Sequence, residues 1–162
     1  MIDKQLLTHT IEQALEGSDL FLVQLSVTPG NEITVEIDSD TMVDIDECVA
    51  LTRKIEDTFD RDAEDYELEV GSAGLTSPLK VYRQYAKNIG KDMTVLTRDG
   101  RKLHGVLKDA AQTDPADPAA VEFTLLVKAK VKEPGAKRPV VRDEDVKLTA
   151  AECKSVVYDL KF

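Results

Sequence analysis

Between positions 2 and 16 the apolar residues Ile2, Leu6, Leu7, Ile11, Ala14 and Leu15 recur at spacings of three and four. This is the stripe of an amphipathic helix, and Gly17 supplies its stop. Leu20, Leu22, Leu25 and Val27, interrupted by Gln24 and Ser26, predict a strand that ends at Pro29-Gly30-Asn31. Ile33, Val35 and Ile37 then alternate with Thr34, Glu36 and Asp38, so a second strand with one wet face pairs back on the first as a hairpin. Asp44 stands where a helix N-cap belongs, and Glu47 completes a capping box. The helix it opens carries Ile45, Cys48, Leu51, Thr52, Ile55 and Phe59 as its apolar stripe. After an acidic loop, Asp60 to Asp65, the alternation of Glu67, Leu68, Glu69 and Val70 predicts a third strand. Helix, strand, strand, helix, strand makes a small α+β layer pair with both helices on one face.

The chain changes direction after that strand. Gly71 and Gly74 offer backbone freedom, and Pro78 turns Ser77 away from the helical region. Leu79, Tyr82, Tyr85 and Ile89 predict a short helix closed by Gly90. The expected organisation is therefore a first domain over 1–79, a connector with a short helix over 80–91, and a second domain over 92–162. That second domain is strand-rich: Met93 to Leu96 leads through an Asp99-Gly100 hairpin turn to Leu103, Val106 and Leu107. Gly105 suggests a bulge or bend. Residues 112–120, with Pro115 and Pro118, read as a loop that cannot be a strand, and Val121 to Val131 alternates again. A Pro/Gly/Lys loop over 132–139 precedes final strands from Val140 to Leu148 and from Cys153 to Leu160. Five short strands without a long helix suggest a small barrel that curls to hide its edges.

Charge divides the chain at the same place. The net charge is -10, yet residues 1–79 hold 4 Lys+Arg against 19 Asp+Glu, and residues 80–162 hold 17 against 12. The net -10 of the whole chain repels phosphate and argues against sequence-independent nucleic-acid binding by the entire surface, while the split leaves the basic second half able to touch RNA locally. The net -15 of the first part leaves two readings of the acids, a solvated face or a docking surface for a basic protein, for which Asp60, Asp62, Glu64 and Asp65 are the candidate contacts. In the second half Arg98, Arg101 and Lys102 crowd the Asp99-Gly100 turn. Lys128, Lys130 and Lys132 share one strand face, because alternate residues point the same way. These six are candidate RNA contacts, with a solubilising face as the equal alternative.

Catalytic and metal chemistry finds little support. His9 and His104 have no ligand or relay partner at useful spacing, and no nucleophile elbow or phosphate-binding glycine loop occurs. Asp60-x-Asp62-x-Glu64 begins like a calcium loop, but Asp65 occupies the position that needs glycine and Gly71 the position that needs a bidentate acid. Gly71-Ser72-Ala73-Gly74 matches the Gly-x-x-Gly loop of RNA-clamping KH domains, yet it leaves a strand and carries no cation, so a turn is the better reading. Cys48 and Cys153 lie in different halves and read as reduced thiols. No enzyme activity, cofactor or metal is expected. No apolar run approaches a membrane span, the start lacks a secretory signal pattern, and cytoplasm is the expected compartment.

The order of elements, the capped helix from Asp44, and above all Leu68-Glu69-Val70-Gly71-Ser72-Ala73-Gly74-Leu75-Thr76-Ser77-Pro78-Leu79 resemble the ribosome maturation factor RimP family. The family's central motif usually reads Ser-Ser-Pro-Gly-Leu-x-Arg-Pro-Leu. Here Gly71 stands for the first Ser, Ala73 for the Pro and Ser77 for the Arg, while Ser72, Gly74, Leu75, Pro78 and Leu79 carry over as a hinge motif. Replacing Arg by Ser77 removes a planar cationic donor. The resemblance implies an N-terminal α+β domain, a C-terminal SH3-like (Sm-like) barrel, and a non-enzymatic role in maturing the small (30S) ribosomal subunit. It further implies binding to the free immature subunit and to small-subunit ribosomal protein twelve, a basic protein. The charge map fits this, with an acidic domain to receive a basic protein and a more basic barrel that could face ribosomal RNA through the C-terminal half. A stand-alone RNA-binding module acting through the barrel is the alternative.

Overall fold

The computed structural model describes residues 2–131, 134, 135 and 137–159. The chain divides into two compact units, Met1–Gly74 and Leu75–Phe162. The first is built on helix α1 (Lys4–Leu15), which starts where the Asp3 carboxylate accepts the backbone N–H groups of Gln5 and Leu6 at 2.9 and 3.3 Å. Its buried stripe is narrower than the sequence pattern, running Leu7, Ile11, Leu15 at steps of four, with Leu6 and Ala14 left outside. Strands β1 (Leu20–Val27) and β2 (Glu32–Ser39) form the expected antiparallel hairpin, and β3 (Glu67–Ser72) adds parallel to β2. The turn between β1 and β2 passes through Asn31 at φ 59, a left-handed conformation that asparagine tolerates better than most side chains.

Helix α2 (Ile45–Thr58) opens on the capping box read from the sequence: Glu47 N–H donates to Asp44 Oδ1 at 2.9 Å, and Asp44 N–H to Glu47 Oε1 at 3.1 Å. Leu51 and Ile55 are buried with Leu7, Ile11, Ile33, Val35, Ile37 and Tyr66 in a single core. Ile45 departs from the expectation, remaining 79% exposed. The buried stripe begins a turn later at Cys48, and Val43, just before the cap, packs on the core with it. An apolar residue on each side of the cap in this way fixes the angle at which the chain enters a helix.

In the second unit helix α3 (Tyr82–Lys87) is shorter than the 79–89 span expected. The Gln84 side chain explains its start, because Oε1 accepts Lys80 N–H at 2.7 Å and Val81 N–H at 3.3 Å. Gly90, at φ +90, closes it. Tyr85 is buried in the core of this unit, with its ring 5.3 Å from that of Phe123, so the segment assigned to a connector is part of the second unit's interior. Strands β4 (Asp92–Thr97), β5 (Lys102–Asp114), β6 (Asp117–Val131), β7 (Val140–Thr149) and β8 (Cys153–Tyr158) follow, with one 3-10 turn at Ala150–Glu152 before the last. They make one antiparallel sheet in the order β7-β6-β5-β4-β8. Among the described residues no pairing joins β7 to β8, so the expected closure into a barrel is not seen in the strand ladder.

Three expectations are corrected. Residues 112–120 are not a loop: β5 runs to Asp114, β6 starts at Asp117, and only Pro115 and Ala116 make the turn. Both prolines fit because one lies in that turn and the other in a stretch paired with β5 alone, β6 meeting β7 only from Glu122 onward. Gly105 marks no bulge, for its register is regular against both β4 and β6. A side chain there would drive into the Leu126 carbonyl, whose carbon lies 2.9 Å from the position a Cβ would take. Gly71, by contrast, lies inside β3 with nothing within 4 Å of such a Cβ, and needs no glycine.

These environments predict opposite outcomes for one substitution. Gly105→Ala forces β5 and β6 apart and should cost about 2 kcal/mol or more, whereas Gly71→Ala should be neutral or stabilise by up to about 1 kcal/mol, as read from urea unfolding. A second prediction concerns alkaline pH. Burial, and then the nearby Cys153, push the Tyr85 hydroxyl well above its ordinary range; burial, and then Glu152, push the Cys153 thiol up. The neutral thiol donates to the Thr149 carbonyl at 3.4 Å. With folded values above unfolded ones near ~8.5 for Cys and ~10 for Tyr, the stabilisation is complete below that range and is lost as pH rises through it. The thermal midpoint should therefore be flat to about pH 8 and fall beyond about pH 10, and Tyr85→Phe should blunt the fall.

Candidate functional site

The acidic loop between α2 and β3 is shaped by its own carboxylates. Asp60 Oδ1 accepts Asp62 N–H at 2.9 Å, the Asp60 carbonyl accepts Ala63 and Glu64 N–H at 3.2 and 3.1 Å, and Asp65 Oδ1 accepts Tyr66 N–H at 2.9 Å. Tyr66 is buried beneath, its hydroxyl donating to the Phe59 carbonyl at 2.8 Å while the Arg61 guanidinium lies 4.8 Å above its ring. Asn31 fastens the loop to the hairpin turn, donating to the Asp65 carbonyl at 3.1 Å and to Glu64 Oε2 at 3.4 Å. Of the four candidate carboxylates, Asp60, Asp62 and Asp65 are exposed and Glu64 is half-buried. Asp44, Asp46 and Glu47 form a second acidic group at the other end of α2, roughly 20 Å away at 1.5 Å per residue. Burial, followed by the charges of Glu47 and Asp44, raises the Cys48 thiol, which marks the field at that end as negative. The same end carries exposed Ile45, which the sequence pattern assigned to the apolar stripe, together with exposed Met42 and Val49, which it did not single out.

The hinge residues divide between the two units. Ser72 ends β3, and Ala73 N–H still donates to the Ile37 carbonyl at 2.9 Å, so the first unit's ladder outlasts the strand by one residue. Ser72 and Gly74 belong to that unit, while Leu75, Pro78 and Leu79 belong to the second. Leu75 is 68% exposed; Leu79 packs on the second core and donates its N–H to the Val156 carbonyl at 2.8 Å.

Several of the candidate cations are already engaged. Arg98 holds the β4–β5 turn against the 3-10 turn through Nε to the Ala151 carbonyl at 2.7 Å. Arg101 lies 3.2 Å from Asp99 Oδ2, and the Asp99 carboxyl is held below the usual range by the Thr97 hydroxyl first and Arg101 second. Lys102 is exposed. Lys128 pairs in register with Asp143 of β7, so the two side chains share a face, and Lys108 reaches Asp145 at 2.9 Å. That contact raises the Lys108 ammonium's pKa, through the hydrogen bond and then the charge of Asp145. The backbone of Lys130 pairs with Val141; Lys132 lies outside the described residues. Lys128 of β6 thus stands opposite an acid of β7, which sequence spacing alone does not reveal.

Within the second unit a cleft of about 530 Å³ opens beside β8, with Leu79, Tyr85, Val121 and Val156 among its apolar walls and Lys80, Lys154 and Asp117 at its polar ones. Among the described residues no group of three or more His, Cys, Asp and Glu side chains is arranged to hold a metal ion, and no helix is long and apolar enough to cross a membrane.

Comparison with known proteins places this geometry. Residues 10–76 match the family model described as the RimP N-terminal domain, spanning α1 from its middle to just beyond β3. Ribosome maturation factor RimP from two strains of Porphyromonas gingivalis is 44% identical over 157 residues, which cover 97% of this chain and 98% of that protein. The protein of the same name from Flavobacterium psychrophilum is 31% identical over 94% of this chain and 95% of its own length. That from Christiangramia forsetii is 36% identical over 82% of this chain and 81% of its own. Likeness at this level across both units, and not in the N-terminal one alone, means that the chain belongs to the RimP family of ribosome maturation factors.

Proposed function

We propose that this chain is a non-enzymatic assembly factor for the small (30S) ribosomal subunit, acting on the free immature subunit. In this reading the acidic first unit receives the basic small-subunit ribosomal protein twelve. The observation that carries it is the separation of charge between two units with separate cores: 4 Lys+Arg against 19 Asp+Glu in the first, 17 against 12 in the second. A net -15 over 74 residues attracts a basic protein over a Debye length or more and speeds its encounter. The second unit, with its sheet of five antiparallel strands, would be the SH3-like barrel of the family and would face ribosomal RNA. Lys102 is the cation best placed for that contact, since Arg98 and Arg101 hold the turn and Lys128 faces Asp143. The factor would hold the protein while the RNA folds around it and then leave.

The test is binding of the full chain to small-subunit ribosomal protein twelve and to free small subunits across a salt series. The variant Asp60→Asn/Asp62→Lys/Asp65→Asn keeps side-chain oxygens to accept the Asp62 and Tyr66 N–H groups while removing charge. It should bind the ribosomal protein about tenfold more weakly at low salt, with a shallower salt dependence. Unchanged affinity would remove the acidic loop from the interface. Binding to RNA alone, undiminished in this variant, would favour the RNA-binding module instead.

A further inference from the structure

Helix α2 begins with an apolar face that no part of its own unit covers. Ile45 and Val49, four residues apart and therefore neighbours on the helix surface, are 79% and 43% exposed. Met42, in the loop that enters the cap, is 79% exposed. A first helical turn that only needed solubility would carry polar residues at these positions, and an isolated exposed apolar residue would call for no explanation. Here three fall within eight residues, while Val43 and Cys48 between them reach the core. The capping box of Asp44 and Glu47 ties down the helical turn that carries Ile45.

The charges around it restrict what can cover it. Asp40, Asp44 and Asp46 are exposed beside it and Glu47 is half-buried. No Lys or Arg occurs between Lys4 and Arg53, which follows Val49 by one turn. A nucleic acid or an anionic membrane surface would be repelled, and a second copy meeting the same face would bring two acidic rims together. A cationic segment with an apolar side chain between its Lys or Arg residues satisfies both features at once. We propose that this end of α2, through Ile45, Val49 and Met42 within their acidic rim, is the docking surface for such a segment of a basic protein. It rests on the proposed reading of the first unit as the receiver of a basic ribosomal protein, and it adds an apolar anchor that the acidic loop, at the far end of the helix, does not supply. Charge steers the encounter, and burial of the apolar pair sets how long the complex lasts.

The full chain carrying Ile45→Ser/Val49→Ser is compared with the unaltered chain and with Leu6→Ser, which removes an exposed apolar residue from α1. Binding to small-subunit ribosomal protein twelve is measured at low and high salt, with circular dichroism confirming the fold. The double variant should bind about tenfold more weakly, by a factor that persists at high salt because apolar burial is not screened, while Leu6→Ser binds as the unaltered chain. If the unaltered chain binds and the double variant binds equally well, this docking surface is wrong and the function stands. If the unaltered chain does not bind the protein at all, both readings fall. A dimer seen in sedimentation for the unaltered chain and lost in the double variant would identify a second copy as the occupant and overturn the proposal.

Discussion

One asparagine side chain holds the first unit's periphery together. Asn31 takes a left-handed turn between β1 and β2, accepts the Ile2 N–H on Oδ1 at 2.9 Å, and donates to Glu64 and the Asp65 carbonyl. Its own carbonyl accepts the N–H of Glu67 at 2.9 Å, where β3 begins. The start of the chain, the hairpin turn, the acidic loop and the third strand all meet at this residue. A loop with four carboxylates and a single arginine repels itself, and an uncharged amide that donates to it fixes its shape without neutralising its field. Glu64 is the exception among the four acids, since the N-terminal ammonium first and Asn31 second hold its carboxyl below the usual range.

The second unit uses charge in the other way. Three of its cations make internal contacts, Arg98 on a carbonyl, Arg101 on Asp99 and Lys108 on Asp145, and a fourth, Lys128, stands in register with Asp143. Exposed pairs of this kind add little stability individually, but they flatten the local field. The net positive charge of this unit is therefore a poorer guide to an RNA surface than its count of lysines suggests. The first unit has fewer cations to spend in this way, its Lys and Arg residues being Lys4, Arg53, Lys54 and Arg61.

Much of the fold was legible in the sequence where one local signal sufficed. The Asp44/Glu47 capping box, the Pro29-Gly30-Asn31 turn and the alternating strands depend on neighbours within a few residues, and all formed as read. Failures came where a distant element decided the outcome. Gly105 is required by the carbonyl of Leu126, and Pro118 is tolerated because β7 ends short of it. The heptad-like spacing of Ile45 says nothing about whether the core extends that far along α2. Opposition of Lys128 to Asp143 is a matter of strand register, invisible until β6 and β7 are paired. The hinge motif identified the family more clearly than it identified a site, because its residues divide between the two units.

The proposed function rests on a division of surfaces: acids and an exposed apolar turn on the first unit, and cations partly engaged in internal contacts on the second. Hydrogen–deuterium exchange of the full chain, alone and with small-subunit ribosomal protein twelve, tests that division most directly. The account predicts new protection in the first unit, at residues 40–50 and 60–66, with the β4–β8 sheet little changed. Protection confined to the second unit would contradict it.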